Sequence, residues 1–148
     1  MAGDYGVDAV NHRLFGEVME LVHLDPYWGG VKTSSHTNSI YYAVKHGKCF
    51  VHHNGHKLLG FCTYGFFTRD EIERDLWDGD EVYSRQSGEV LYFPKFQCRA
   101  GRKEVLRFVR KINQRLSQLY PDLVLVGHAD RGYGERRKGA ATFIGRHL

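Results

Sequence analysis

Proline and cysteine are scarce in these 148 residues, at three each, and tryptophan and methionine number two each. So little proline excludes a collagen-like chain or a proline-rich spacer. Three cysteines, an odd number with no Cys-x-x-Cys pair, exclude a disulfide framework and read as reduced thiols of a cytosolic protein. Apolar runs stop at four or five residues, such as Ile40–Val44 and Leu123–Val126, far short of the ~18 that a membrane span requires. The opening Met1-Ala2-Gly3-Asp4-Tyr5-Gly6 has no basic or apolar stretch of the kind a signal peptide carries. A composition of 42% hydrophobic, 14% aromatic and 26% charged residues excludes disorder. The length suits one domain spanning 1–148, large enough to bury about 70% of its unfolded surface without a staple.

The net charge of +4 hides a stronger separation. Residues 70–89 hold eight acids against Arg74 and Arg85, a local net of −6; residues 99–115 hold seven bases against Glu104, a local net of +6. A basic segment attracts phosphate-bearing ligands, nucleic acid or an acidic protein, and charge alone does not choose among them. Both segments also fit the solvated faces of amphipathic helices.

Periodicity organises the rest. Val10, Leu14, Val18, Leu21 and Val22 predict a helix from Asp8 to Leu24, stopped by Asp25-Pro26. Tyr27–Ser39 reads as a loop, and Ser39–His46 as a short helix ended by Gly47. Two β-rich runs, 48–53 and 56–67, flank Asn54-Gly55 and predict a hairpin with those two residues as its turn. That register would set His53 opposite His56, but two ligands do not make a structural zinc site. Thr68 and Glu71 form a capping box for a helix burying Ile72, Leu76 and Trp77, followed by a polar linker to Gly88. Glu89–Phe96 reads as a strand whose Pro94 implies an edge, a bulge or a splay. The longest helix follows, Arg102–Leu119, with Val105, Val109, Ile112, Leu116 and Leu119 inward. Short strands are expected at Leu123–Val126 and Ala140–Ile144. The strand–long helix–strand order predicts that the segments before and after the helix are parallel neighbours. Cys62 reads as packing, whereas Cys98, beside Arg99 at a helix start, is expected to have a lowered thiol pKa.

This order of elements resembles the GNAT acyltransferase fold: an α/β (α+β) mixed sheet with two N-terminal helices, a β-hairpin and a long central helix between splayed strands. In that fold the loop opening the central helix binds the acyl donor's phosphate, which the resemblance places at Arg99, Gly101, Arg102 and Lys103. A closer likeness is to the toxin-activating lysine acyltransferases. It is carried by Gly60-Phe61-Cys62-Thr63-Tyr64-Gly65, the acidic Asp70-Glu71-Ile72 after it, Ser87-Gly88-Glu89 leading into Tyr92-Phe93, and Phe15-Gly16 with Asp25-Pro26 near the start. In size, element order and basic central helix the chain is also similar to the GNAT-like internal virion protein of short-tailed bacteriophages.

The family's catalytic pair does not carry over. Its histidine follows the proline corner, where this chain has Trp28, and its aspartate follows the strand's aromatic pair, where this chain has Lys95. Neither can act as a general base near neutral pH. His23 and His36 flank the corner and are the candidates to replace the histidine. The expectation is a non-catalytic component of a larger assembly such as a virion, with protein partners; the alternative is an active N-acyltransferase using acyl-CoA or acyl carrier protein to modify a lysine amine. The arginines of 99–115 and 131–138 also admit weak nucleic-acid contact. No membrane contact and no metal are expected, and the location would be the host cytoplasm or the virion.

Overall fold

The computed structural model describes residues 2–24, 34–74, 76, 78–122, 125–132 and 135–145, with side chains for most of 12–122 and for 126–127. Trp28 lies outside the described residues. Two helices, α1 (Ala2–Leu24) and α2 (Ser34–Lys45), precede the hairpin β1 (Cys49–Asn54) and β2 (Lys57–Phe67). Helix α1 starts earlier than expected, so Asp8 lies inside it; extending a nucleated helix is cheaper than starting one. Helix α2 also starts earlier, because the hydroxyl-rich Ser34-Ser35-His36-Thr37 suits a helix's first turn as well as a loop. Its end is as expected. Gly47 has φ +71°, and the Lys48 and Gly47 amides donate to Ala43 and Val44 carbonyls at 2.7 and 3.1 Å, closing the helix with a left-handed residue.

The hairpin forms, but its turn is shifted by one residue. Asn54 pairs with Lys57, so Gly55-His56 make the turn, and Gly55 takes the positive φ of +62°. His53 therefore faces Leu58 rather than His56. Between these pairs and His52↔Gly60, Leu59 is one residue too many on β2. This bulge reverses the side-chain alternation and puts Leu58 and Phe61 into the same core cluster.

Two short helices follow, α3 (Arg69–Glu73) and α4 (Asp80–Ser84). The capping box is present: Glu71 N–H donates to Thr68 Oγ1 at 3.1 Å, and Thr68 N–H to Glu71 Oε1 at 2.8 Å. Leu76, expected inward, is exposed, because α3 stops before reaching it. The expected polar linker instead folds as α4 and buries Val82 and Tyr83, whose hydroxyl meets Ser39 Oγ at 2.6 Å. Strand β3 (Val90–Cys98), helix α5 (Arg102–Leu119), and strands β4 (Leu125–Gly132) and β5 (Glu135–Gly145) complete the order. The last two strands are longer than the apolar pattern predicts, since pairing with each other admits Arg131↔Arg136 and Gly132↔Glu135.

The five strands form one sheet in the order β1-β2-β3-β4-β5. All neighbours are antiparallel except β3 and β4, which are parallel and joined through α5. Helices α1 and α2 cover one face through Val18, Leu21, Val22, Ile40 and Val44, and α3 and α4 continue that layer against Phe67 and Tyr92. Helix α5 covers the other face through Phe108, Ile112 and Leu116, against Cys62, Tyr64, Phe66 and Leu91. Ile112 and Leu116 are buried as expected and Phe108 joins them, whereas Val109 and Leu119, expected inward, stay exposed.

Gly60 lies where β2 leaves no room for a side chain against β3. A Cβ there would lie 2.9 Å from the Gln97 carbonyl oxygen and 3.1 Å from Cys98 Cβ. Gly60→Ala is expected to cost about 1–3 kcal/mol by forcing the strands apart, read as a lower urea midpoint at unchanged slope.

Candidate functional site

The functional features gather at the end of the sheet where β3 gives way to α5. Strand β3 pairs with β4 only through Leu91↔Val126, Tyr92↔Gly127 and Phe93↔His128, although both strands continue beyond. The strands part at Pro94, which has no N–H to donate and lies in a bulge where β3 carries one extra residue between Tyr92 and Lys95. The expected splay between these strands is therefore present.

Beyond the splay, Arg99 N–H donates to the Leu59 carbonyl at 2.7 Å, so the bulge on β2 holds the turn in place. Gly101 caps α5 with φ −62° and ψ 167°, and no side chain caps it. Glu104 N–H donates to the Gly101 carbonyl at 2.9 Å, which leaves the Arg102 and Lys103 amides without an intrahelical partner beside their own exposed side chains, an arrangement suited to an anion. Arg99 also lines a cavity of about 560 Å³ on the opposite face, with Glu17, Leu21, Leu24, Lys57 and Leu58. Of the expected site residues, Gly101, Arg102 and Lys103 sit at the start of α5, while Arg99, two residues before it, lines the cavity on the other face.

The candidate bases are placed differently. His23 is exposed on the last turn of α1. His36 lies on the first turn of α2, and its side chain is outside the described residues. Lys95 is only 1% exposed and pairs with Thr63 in the middle of the sheet. On the same strand, Gln97 reaches α1, its Nε2 donating to the Leu21 carbonyl at 2.6 Å.

The cysteines are not activated. Burial pushes Cys49 up to about 12 and Cys62 well above the ordinary thiol range. Cys98 is also raised, first by burial and then by the charge of Glu104, so the lowering expected from Arg99 does not occur. Arg99 points to solvent, where water screens its charge.

Sequence reasoning missed a buried polar cluster at His52. His52, on β1, is buried, and its Nε2 lies 2.7 Å from Glu104 Oε2 while its Nδ1 lies 3.3 Å from Lys111 Nζ. Hydrogen bonding to His52 holds the Glu104 carboxyl below its usual range, so this ionised group can only accept. Lys111 can only donate. Nε2 of the ring thus faces an acceptor and Nδ1 faces a donor. The imidazole stacks on Phe108 at 5.3 Å, and Phe108 stacks on Phe96 at 5.5 Å, giving three near-parallel rings. The signal in the sequence was small: His52 shares the β1 alternation of Phe50, but its partners lie 52 and 59 residues away.

The acidic segment is less open than its charge count suggests. Glu71 takes two bonds from Arg85, Asp80 binds His46 and Lys45, Asp70 binds Arg74, and Glu89 binds Arg69. Among the described residues no three histidine, cysteine or acidic side chains are placed to hold a metal ion, and no helix is long and apolar enough to cross a membrane. Compared with known proteins, the chain matches no family model and no curated protein.

Proposed function

We propose that this chain is a GNAT-like protein that has lost acyl transfer and serves as a non-catalytic component of a larger assembly, such as a bacteriophage virion. The observation that carries this reading is Lys95. The resemblance requires a carboxylate there, to orient an imidazole and share its proton, and the position holds a buried lysine within the sheet. The exposed His23 has no partner among the described residues to hold its ring in one orientation, as a general base requires. The splay and the uncapped start of α5 favour the second reading, an N-acyltransferase that takes acyl-CoA or acyl carrier protein.

One assay separates the two. The protein is incubated with acyl-CoA and with acyl carrier protein thioester beside a lysine-bearing acceptor, and amide formation is followed. With the ordered base, worth about 10²–10⁴-fold of rate, and its orienting carboxylate both absent, little or no transfer above the rate without protein is expected. Turnover abolished by His23→Ala or His36→Ala would establish the enzyme instead. Stoichiometric copies of the chain in purified particles are the positive result for the assembly reading.

A further inference from the structure

We propose that the outer face of α5, together with Phe96 beside it, binds single-stranded nucleic acid. Phe96 ends the His52–Phe108–Phe96 stack, and 40% of its surface is open to solvent. The stack is held from within, because His52 is fixed by Glu104 and Lys111. A nucleobase placed on Phe96 would continue it as a fourth ring on a platform that needs no ordering.

Among the described residues, the charge around the platform is largely uncompensated. Helix α5 exposes Arg102, Lys103, Arg107, Arg110, Lys111 and Arg115, and its single acid, Glu104, is engaged by His52 and Arg107. The acidic segment cannot offset this face. Its helices α3 and α4 pack on the other side of the sheet, and most of its carboxylates are already paired. From Arg102 to Arg115 the basic face extends about 20 Å at 1.5 Å per residue, more than the phosphates of one nucleotide would occupy. A single strand satisfies both features, since its backbone can follow the arginines while an unpaired base meets the ring. An acidic protein would use the charge and leave the ring idle. The inference goes beyond the assembly reading and does not depend on it, because it concerns α5 whether or not the chain enters a particle.

The test is fluorescence anisotropy of the full chain with labelled oligothymidylate and oligoadenylate of about 12 nucleotides, within the site sizes of single-strand binders. Neutralising three or four phosphates predicts about 20–50-fold weaker binding between roughly 50 and 200 mM salt. Phe96→Leu keeps an apolar side chain against Phe108 but removes the ring, and is expected to weaken binding about 5–100-fold. Phe96→Trp should restore it, and Arg107→Glu with Arg110→Glu should abolish it. Circular dichroism melting of each variant separates lost binding from lost fold. The proposal is overturned by no anisotropy change with the unaltered chain, by full affinity in a folded Phe96→Leu variant, or by equal binding of a duplex. Polyglutamate competing as well as the oligonucleotide, or complete displacement by an equimolar mononucleotide, would also overturn it, in favour of an acidic protein or a free nucleotide.

Discussion

Phe108→Ala is expected to destabilise the protein by about 3–5 kcal/mol, the usual cost of emptying an aromatic site in a core. For a chain of this length that lowers Tm by roughly 10 °C or more. Phe108 is 1% exposed and stands between His52 and Phe96, tying α5 to the sheet at three strands' width. Its removal opens a cavity and strips the stacked imidazole of its apolar face. Phe108→Leu, which keeps most of the volume, should cost distinctly less, since near-isosteric swaps usually stay below about 1.5 kcal/mol. Thermal melts of both variants check this. Equal and small losses would mean that Ile112 and Leu116 alone hold the helix down.

The second large effect lies across the molecule, at Glu71 and Arg85. The guanidinium donates to the two carboxylate oxygens at 2.6 and 2.9 Å and to the Phe66 carbonyl at 3.1 Å, joining α3 and the segment after α4 to the end of β2. Hydrogen bonding to Arg85 holds the Glu71 carboxyl below its ordinary value, with the Thr68 cap adding to this and burial opposing it. Glu71→Gln keeps a capping-box residue and removes the charge, and is expected to cost about 1.5–3 kcal/mol near neutral pH. The folded state binds fewer protons at Glu71 than the unfolded state does. The stabilisation is therefore complete above the unfolded value of 4.5 and disappears as pH falls through the lowered folded value. Melting curves of both proteins from about pH 7 to about pH 3 should converge at the acid end. A difference that persists unchanged at low pH would show that shape rather than charge is responsible.

Much of the architecture was legible in the residues because its signals are local. The Asn-Gly pair between β-rich runs, Thr68 with Glu71, Gly47 after an apolar stripe, and the long amphipathic run 102–119 each fix their element through contacts within a few residues. Order along the chain then required a crossover between β3 and β4, and the two strands are parallel. Local signals failed where an alternative differed by one position. The hairpin turn moved from Asn54-Gly55 to Gly55-His56, and on α5 Phe108 rather than Val109 joins Ile112 and Leu116 inside. In both cases neighbouring residues suit the buried side about equally, and packing chose between them. Helix α4 was invisible for a related reason: only Val82 and Tyr83 recommend it, and Tyr83 needs Ser39 of α2 to satisfy its hydroxyl.

The sequence by itself determined the class of fold, the order of the elements apart from α4, the basic character of α5 and the presence of a lysine at position 95. These follow from composition, periodicity and residue identity, which do not depend on what lies elsewhere in the chain. Only the tertiary structure decided which charges remain open and which rings meet. Among the described residues, the carboxylates of Asp70, Glu71, Asp80 and Glu89 are held by Arg74, Arg85, Lys45 and Arg69, whereas the bases of α5 find only Glu104. The stack of His52, Phe108 and Phe96 joins three elements, and its exposed end exists because β3 and β4 part at Pro94. A strand's alternation says which side of the sheet a residue takes, but the partner it meets there is set by bulges, by helix placement and by the end of a ladder.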